Sequence, residues 1–350
     1  MKIGNRVIGR DQPPFVIAEM SGNHNQSLDR ALAIVDAAAA SGAHALKIQT
    51  YTADTMTLDV REPGFVIEDP ASPWSGRSLY DLYREAHTPW EWHAPIFERA
   101  RKLGMIPLST PFDDTAVDFL ESLGSEVYKV ASFELTDLPL VRKVASKGKP
   151  IIVSAGMATL AEIDDALRTA REAGCPDVVV LKCTSTYPAT PEASNLATLP
   201  YLRVVFGCEV GLSDHTAGIG VAIGSVALGA TVIEKHFTLR RSDGGVDSAF
   251  SLEPEELRAL VQESLRAWQA IGTVRWGPTA AEKASLQFRR SIYVTRDVEV
   301  GEAISASNVR VLRPGFGLPP RYLDIVLGLQ VTRPLRRGSP LTWESLKRQR

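Results

Sequence analysis

The chain has 350 residues, and 39 Lys and Arg side chains against 41 Asp and Glu leave a formal net charge of −2. A charge this close to zero argues against a general nucleic-acid-binding or membrane-binding surface. Hydrophobic residues make up 44% of the chain, which is enough for a sizeable core. The length predicts about two domains, the larger of which has room for a barrel.

The N-terminal segment MKIGNRVIGRDQPPF has no long apolar stretch behind its early charges, so no signal peptide is expected. No run of about 20 apolar residues occurs elsewhere, so no membrane span is expected. Cys175, Cys183 and Cys208 form no CxxC pair, and no base is evident for Cys183 or Cys208. The sequence therefore predicts a cytoplasmic protein with reduced, packed thiols.

Short β-branched runs alternate with helix-like stretches rich in Ala, Leu, Glu and Arg from the N-terminus to about residue 272. Several of the helical stretches end in Gly, a usual C-terminal stop. This alternation predicts a parallel sheet, and eight such units predict a (β/α)8 TIM barrel over residues 1–272. An open doubly wound sheet is the alternative, but no GxGxxG motif follows the first strand. The strand candidates are residues 14–20, 43–50, 105–110, 126–132, 150–156, 178–185, 204–213 and 231–237.

A long insertion, residues 52–89, interrupts the barrel pattern after the second strand. Loops of this length are usually either functional or disordered. Trp74, Tyr80 and Tyr83 favour an ordered flap beside the strand ends, where the three rings either contact a substrate or only anchor the flap.

The C-terminal part has a different character. Residues 273–287 show weak periodicity and are predicted to be a linker, whereas residues 288–350 contain short strand candidates, Gly and Pro turns and little helix. A β-rich domain of roughly 60 residues is marginal on its own, because it buries little of its surface. We therefore expect it to lean on another surface, in its own subunit or in a partner.

Polar or ionisable residues stand at the C-terminal end of every predicted strand, where barrel enzymes have their active sites. Lysines within strands that are buried on both faces need a partner for their charge. Lys47 and Lys129, surrounded by hydroxyl groups, favour a site for phosphate or carboxylate oxygens. Alternatively, each lysine only pairs with a carboxylate such as Glu19 or Glu134. The strand-end residues are Glu19, Lys47, Gln49, Thr110, Lys129, Ser132, Ser154, Thr184, Ser185, Ser213, His215, Glu234 and His236.

His215 and His236 end the seventh and eighth predicted strands, which are neighbours in a barrel. This pair favours a divalent metal site completed by water or a substrate oxygen, although a hydrogen-bonded structural role is the alternative for each. Glu234 precedes His236 by two residues and so lies on the same strand face, where it either orients His236 or binds the sugar substrate. His24, in the first loop, suits loop bracing as well as catalysis.

Ordered motifs connect these residues to a known family. They are IAEM with SGNHNQS, ALKIQTY, STPFD, YKVASFE, IIVSAGM, CTSTYP, GLSDHT, ALGATVIEKHFT and NVRVLRPGFGL. With them the chain resembles the sialic acid synthase family over almost its whole length, including a C-terminal part that resembles the family's antifreeze-like (SAF) domain. MSGNHNQS, SLYDLYREAHTPWEWH, STPFDDTAVDFLE and YKVASFELTD are most similar to the pseudaminic acid synthase branch. Asn25-Gln26 and Ser185 depart from the pattern of sialate synthases, which tend to have a GxNHxG loop and an Asn at these places.

The resemblance implies a (β/α)8 barrel whose SAF domain reaches across to the partner subunit of a domain-swapped homodimer. It implies condensation of phosphoenolpyruvate with 2,4-diacetamido-2,4,6-trideoxy-L-altrose and water, giving pseudaminic acid and phosphate. Legionaminic acid or N-acetylneuraminic acid synthase is the alternative. A divalent metal, commonly Mn²⁺ with Mg²⁺ or Co²⁺ as alternatives, is implied on His215 and His236.

The resemblance also implies roles for single residues. Glu19 and Glu134, together with the two histidines, are implied as catalytic. Tyr187 and Asp247 fall on sugar-contacting or catalytic positions, and Arg313 matches an arginine that reaches the sugar in the other subunit's site. The implied phosphoenolpyruvate-binding residues are Lys47, Thr110, Lys129, Ser132, Ser154, Ser185 and Ser213.

Two other functions remain open on the sequence alone. A strand-end lysine such as Lys129 also suits a Schiff-base aldolase, although the hydroxyl cluster and the paired histidines favour phosphate and metal. A non-catalytic sugar-binding or scaffold protein is the second, and the intact set of strand-end residues counts against it. No nucleic-acid or membrane partner is expected.

Overall fold

A computed structural model describes residues 1–70, 72 and 74–347. The chain divides into two compact units, Met1–Gly272 and Thr273–Arg350. Within the described residues, no helix is both long and apolar enough to cross a membrane.

The first unit contains a closed barrel of eight parallel strands in chain order, with the last strand hydrogen-bonded to the first. The predicted (β/α)8 barrel is therefore confirmed. A short hairpin, β1 (Lys2–Ile3) with β2 (Arg6–Val7), precedes it. The barrel strands are β3 (Phe15–Glu19), β4 (Ala45–Thr50), β5 (Ile106–Pro111), β6 (Tyr128–Val130), β7 (Ile151–Ser154), β8 (Val178–Cys183), β9 (Glu209–Asp214) and β10 (Val232–His236).

Ten α-helices among the described residues of the first unit connect or extend these strands. Several begin at a capping side chain: Ser27 accepts a hydrogen bond from Arg30 N, and Thr159 forms a capping box with Glu162. The helices are α1 (Leu28–Ala40), α2 (Ala53–Met56), α3 (Leu79–Ala86), α4 (Trp90–Lys102), α5 (Asp114–Ser122), α6 (Leu138–Ala145), α7 (Leu160–Glu172), α8 (Thr198–Phe206), α9 (Gly220–Ala227) and α10 (Pro254–Ile271).

Two hydrophobic clusters support the barrel. The larger one includes outward-facing strand residues such as Val16, Ile48 and Ile233 together with the apolar faces of the helices. The smaller one fills the barrel near the N-terminal strand ends and includes Ile17 and Val232. Because strand side chains alternate between faces, the next inward residues along the same strands are Glu19 and Glu234. The apolar plug thus gives way to a polar layer at the C-terminal ends.

One predicted strand began too early, inside a helix. The candidate 204–213 begins inside α8, whose last residue is Phe206, and β9 begins only at Glu209. Gly207, at φ 60° in the left-handed region that glycine favours, ends the helix. Val204 and Val205 have strand propensity but lie on the exposed side of α8, so their β-branching was misleading.

The insertion 52–89 contains α2, α3 and an isolated bridge between Val66 and Ser78. Its aromatic residues have different environments. The Tyr83 ring packs edge-on against Tyr51, with centroids 5.8 Å apart. Tyr80 Oη donates a hydrogen bond to Asp54 Oδ1 at 3.1 Å, within the insertion itself.

The second unit has its own small core, which includes Ile292, Val309, Val326 and Leu341. Its strands form two antiparallel pairs, and its only described α-helix is α11 (Leu323–Val326). The segment predicted as a linker falls at the start of this unit, where Gly315 N donates to Gln287 O at 2.8 Å. The strand pairs are β11 (Ser291–Val294) with β12 (Val309–Leu312), and β13 (Gln330–Val331) with β14 (Leu346–Lys347).

Candidate active site

A buried cluster of two carboxylates and one lysine lies where β3, β4 and β10 end. Lys47 Nζ is 3.1 Å from Glu234 Oε1 and 3.3 Å from Glu19 Oε2. The same Nζ donates to Thr110 Oγ1 at 3.4 Å. Lys47 therefore does pair with barrel carboxylates, as the alternative interpretation of the sequence expected, but with two of them in one cluster.

The two acids of this cluster titrate differently. Burial raises the pKa of Glu19 to about 7, with the charge of Glu234 adding to the effect and Lys47 opposing it. Burial also acts on Glu234, but the positive charges of Lys129 and Lys47 outweigh it and lower the pKa of that carboxyl. Glu19 is therefore able to exchange a proton near neutrality, whereas Glu234 stays ionised.

Lys129 has a different environment from Lys47. Its ammonium donates to Val130 O at 3.0 Å and to Ser154 Oγ at 2.6 Å. No described carboxylate lies within ion-pairing distance of it, and burial lowers its pKa. A buried ammonium that pairs only with neutral oxygens is well suited to receive an anion.

Two serine hydroxyls lie together in the loops that follow β6 and β8. Ser132 Oγ and Ser185 Oγ are 2.8 Å apart. Gly156 leaves space for them, since a Cβ on this glycine would lie 2.2 Å from Ser185 Oγ and 2.9 Å from Ser132 Cβ. With Ser154 beside Lys129, these groups form a surface of donors suited to phosphate oxygens.

The two histidines face each other, with ring centroids 5.3 Å apart. His215 Nδ1 lies 2.9 Å from Thr184 O, which leaves Nε2 available. His236 Nδ1 is buried without a hydrogen-bond partner and lies 3.7 Å from Asp247 Oδ2. Burial lowers the pKa of His236 well below its ordinary value, so this ring is neutral and able to coordinate a cation.

These histidines fit a divalent ion. No cluster of three or more His, Cys, Asp or Glu side chains suited to a metal occurs in the described part of the chain. The remaining ligands would then have to be water or substrate oxygens, the usual arrangement of an open catalytic site. His236 Nδ1 is buried and has no hydrogen-bond partner, so one polar atom of this pair still requires a ligand.

Asp247 extends the site from the loop after β10. Ser21 Oγ donates a hydrogen bond to Asp247 Oδ2, and burial raises the pKa of this carboxyl. The Tyr187 ring lies 4.5 Å from that of His215, and Phe250 lies 5.0 Å from His236. The predicted residues Tyr187 and Asp247 are thus near the histidine pair.

Glu134 follows β6 and has a buried Oε2 without a partner. Burial raises its pKa to about 7, and the charge of Lys129 partly opposes the shift. Glu134 is therefore a second acid able to exchange a proton near neutrality.

Some neighbours were not predicted. Cys183 Sγ lies 4.0 Å from His215 Nδ1 and 3.8 Å from Ser185 Oγ. The expectation that Cys183 has no neighbouring base is therefore wrong, because chain pairing between β8 and β9 brings His215 to it. Burial raises the pKa of the thiol, but the imidazole outweighs burial and lowers it.

Ser21 and Gly156 were also missed. Ser21 lies in a first-loop motif that the sequence did single out, yet its partner Asp247 is 226 positions away and gives no local signal. His24 is buried, 3.3 Å from Thr88 Oγ1 and edge-on to Trp92, as loop bracing requires. Arg313 belongs to the second unit, and its role toward a sugar stays a prediction.

Two family models match this chain. Residues 34–275 match the NeuB family, and residues 289–347 match the SAF domain. The chain belongs to the NeuB family. The predicted resemblance to sialic acid synthases with a C-terminal SAF domain is thereby confirmed.

Relatives of this NeuB-family chain match over nearly its whole length. It is 41% identical to a pseudaminic acid synthase of Helicobacter pylori, over 96% of this chain and 99% of the relative. It is 42% identical to a pseudaminic acid synthase of Campylobacter jejuni, over 97% and 98% of the two chains. A solved N-acetylneuraminic acid (sialic acid) synthetase of Leptospira borgpetersenii superposes with a TM-score of 0.73 at 31% identity, over 82% of this chain and 94% of that one.

Proposed function

We propose that this NeuB-family enzyme is a pseudaminic acid synthase. It condenses phosphoenolpyruvate with 2,4-diacetamido-2,4,6-trideoxy-L-altrose and water, giving pseudaminic acid and phosphate. The observation that carries the proposal is the identity of 41% and 42% to two pseudaminic acid synthases over nearly the full length, against 31% to a sialic acid synthetase.

The proposed phosphoenolpyruvate site lies around Lys129. Its ammonium, which has only neutral partners, attracts the phosphate or carboxylate, and the neighbouring hydroxyls donate to the remaining oxygens. Lys47 contributes charge on the other side and holds Glu19 and Glu234 in place. Such a set fixes the enol carbon C3 toward the histidine side of the barrel.

The proposed sugar site lies around His215, His236, Tyr187 and Asp247. A divalent ion such as Mn²⁺, when bound by the two histidines, supplies a Lewis acid for the aldehyde oxygen of the open-chain sugar. C3 of phosphoenolpyruvate forms the new bond to the aldehyde carbon, and the aldehyde oxygen takes up a proton. Positive charge then develops at C2.

Carboxylates stabilise that charge and handle the water. Glu19 and Glu134, whose pKa values burial raises to about 7, are suited to stabilise C2 and to accept the proton of the water that adds there. The bond between C2 and the phosphate oxygen then breaks, the C2 hydroxyl gives its proton to the departing phosphate, and the 2-keto acid remains. Glu234, which stays ionised, keeps Lys47 protonated and oriented.

Assembly and location extend the proposal. We propose a domain-swapped homodimer in which Arg313 of one subunit reaches the sugar in the partner's site. The cytoplasm remains the predicted location.

Phosphate release tests the function. The purified protein, with Mn²⁺ and phosphoenolpyruvate, is given separately the altrose sugar, the legionaminate precursor and N-acetylmannosamine. Release with the altrose sugar alone is the expected result. Preference for another sugar would contradict the proposed substrate but not the proposed class of reaction.

Two further outcomes distinguish other classes of protein. Borohydride in the presence of pyruvate would trap a Schiff base on Lys129 if the protein were an aldolase, and we expect no trapped adduct. A non-catalytic sugar-binding protein would release no phosphate with any sugar. For the enzyme, phosphoenolpyruvate at a hundred times its dissociation constant is expected to stabilise the fold by about 2.7 kcal/mol.

A further inference from the structure

Ser21, the residue that follows β3 by two positions, has an unusual backbone. Its φ is 49°, in the left-handed region that disfavours residues with a Cβ. Four non-glycine residues among those described have positive φ, and three of them, Ser21, Asn25 and Gln26, lie in this one loop. Backbone strain of this kind clusters at functional sites, where the surrounding structure maintains it.

The Ser21 hydroxyl joins two parts of the site. Its Oγ donates to Asp247 Oδ2 and accepts a hydrogen bond from Gln49 Nε2 at 3.2 Å. Gln49 Nε2 also donates to Glu19 Oε1 at 3.0 Å. Ser21 therefore connects the carboxylate–lysine cluster to Asp247.

The direction of these hydrogen bonds is fixed by chemistry. An amide nitrogen only donates, so the Ser21 oxygen must accept from Gln49 and direct its single proton toward Asp247. Ser21 Oγ is the described side chain that makes a hydrogen bond to the Asp247 carboxylate, and His236 Nδ1 lies 3.7 Å from Asp247 Oδ2. Ser21 is thus the group that sets where the carboxylate stands.

We propose that Ser21 is a positioning residue that holds the Asp247 carboxylate against the histidine pair, and that affinity for the sugar depends on it. The inference rests on the proposed function, in which the sugar binds beside Asp247. The groups around Lys129 make their described hydrogen bonds without Ser21, so we expect phosphoenolpyruvate binding to change little when its hydroxyl is removed. Ser21 combines this hydrogen bond with its left-handed backbone.

Two substitutions separate the hydroxyl from the strained backbone. Ser21→Ala removes the hydroxyl and keeps the Cβ, whereas Ser21→Gly removes the hydroxyl and makes the left-handed backbone comfortable. We expect both to lower kcat/KM for the sugar by about ten- to a hundredfold, the effect of losing a hydrogen bond to a charged group, and to leave KM for phosphoenolpyruvate within about threefold. Ser21→Gly is expected to have the higher Tm of the two.

Ser251, which also makes a hydrogen bond to Asp247, provides a matched control. Ser251 Oγ donates to the backbone oxygen of Asp247 at 2.7 Å, not to its carboxylate, and Ser251 is equally buried. Ser251→Ala is expected to lower Tm without the sugar-specific effect. Equal sugar defects in Ser251→Ala and Ser21→Ala would mean that only loop packing matters, and would overturn the proposal.

A double-mutant cycle tests whether Ser21 acts through Asp247. In Asp247→Asn the additional Ser21→Ala change is expected to reduce kcat/KM by less than threefold, since the two residues act as one unit. Fully multiplicative effects of the two changes would contradict the proposal.

A crystal structure of Ser21→Ala tests the positioning itself, whatever sugar the enzyme uses. The Asp247 carboxylate is expected to leave its present place beside His236. An unmoved carboxylate would refute the role of Ser21, whereas absence of phosphate release by the unchanged protein would refute only the proposed function.

Discussion

Single atoms decide whether the proposed anion site can form, and Gly156 shows this most clearly. A Cβ at this position would lie 2.2 Å from Ser185 Oγ, well inside contact distance. Gly156→Ala is therefore expected to separate Ser132 from Ser185 and to raise KM for phosphoenolpyruvate at least about tenfold. Gly220, whose added Cβ would meet no atom within 4 Å, provides the matched control, and Gly220→Ala is expected to leave KM unchanged. Steady-state kinetics with both variants would contradict the assignment if KM were the same in each.

Glu134 links residue chemistry to stability. Burial raises its pKa from 4.5 to about 7, so the folded protein holds a proton there that the unfolded chain has released. The contribution of Glu134 to the free energy of unfolding is therefore complete below about pH 4.5 and is lost as pH rises through about 7. Glu134→Gln is expected to remove a pH-dependent contribution on the order of 2 kcal/mol.

Urea unfolding at about pH 5 and about pH 8 measures this effect. The wild type is expected to lose more stability between the two pH values than Glu134→Gln. Glu192→Gln, at an exposed position, is the control and should follow the wild type. Equal losses in wild type and Glu134→Gln would show that the carboxyl is ionised in the folded protein throughout.

At the residue scale the sequence identified most of the polar layer but not its pairing. Lys47 and Lys129 have the same context, a lysine within an apolar strand, yet only Lys47 contacts carboxylates. The difference arises from the neighbouring strands. Lys47 on β4 lies near β3 and β10, which carry Glu19 and Glu234, whereas Lys129 on β6 lies beside β7, which carries Ser154. Register across strands has no local signature in the sequence.

Among the elements, the insertion 52–89 has the closest relation to the site. Trp74 Nε1 donates to Val246 O at 2.9 Å, next to Asp247, and its ring lies 5.8 Å from Tyr187. Of the three aromatics predicted to face a substrate or to anchor the flap, Trp74 reaches the site, whereas Tyr80 bonds within the insertion. Residues 71 and 73 of this insertion lie outside the described part.

Graded changes at Trp74 test the role of the insertion. Trp74→Phe keeps a ring but loses the hydrogen bond, and a two- to fivefold rise in sugar KM is expected, about the effect of one neutral hydrogen bond. Trp74→Ala loses both and is expected to raise sugar KM more than about tenfold. Tyr80→Phe, which loses only the contact to Asp54, should behave as wild type. A Trp74→Ala enzyme with unchanged sugar KM would remove the insertion from the sugar site.

Strand and helix periodicity predicted all eight barrel strands, because inward and outward faces are both buried and the runs are strongly apolar. The bounds were less accurate, and the candidate that includes Val204 and Val205 began inside α8 because these β-branched residues lie on an exposed helix face. Prediction succeeded where residue propensity and burial pattern agreed, and it failed where strand propensity stood on an exposed helix face.

For the whole molecule, the arrangement of subunits is the main prediction. In the proposed homodimer each site combines a barrel from one subunit with Arg313 from the other. Co-expression of His236→Ala and Arg313→Ala chains is then expected to restore about a quarter of wild-type activity, because half of the dimers are mixed and each has one intact site. Each variant alone should be inactive or nearly so. Absence of recovery in the mixture, with dimers present, would show that Arg313 serves its own subunit's site or none.

The central claim, that the polar layer joins phosphoenolpyruvate to an acetamido sugar, has one most direct test. The protein is incubated with Mn²⁺, the altrose sugar and phosphoenolpyruvate carrying ¹³C at all three carbons, and the product is identified by mass spectrometry. The account predicts pseudaminic acid that contains all three labelled carbons, formed in equal amount with inorganic phosphate. Labelled pyruvate and an unchanged sugar, or no labelled product at all, would contradict it.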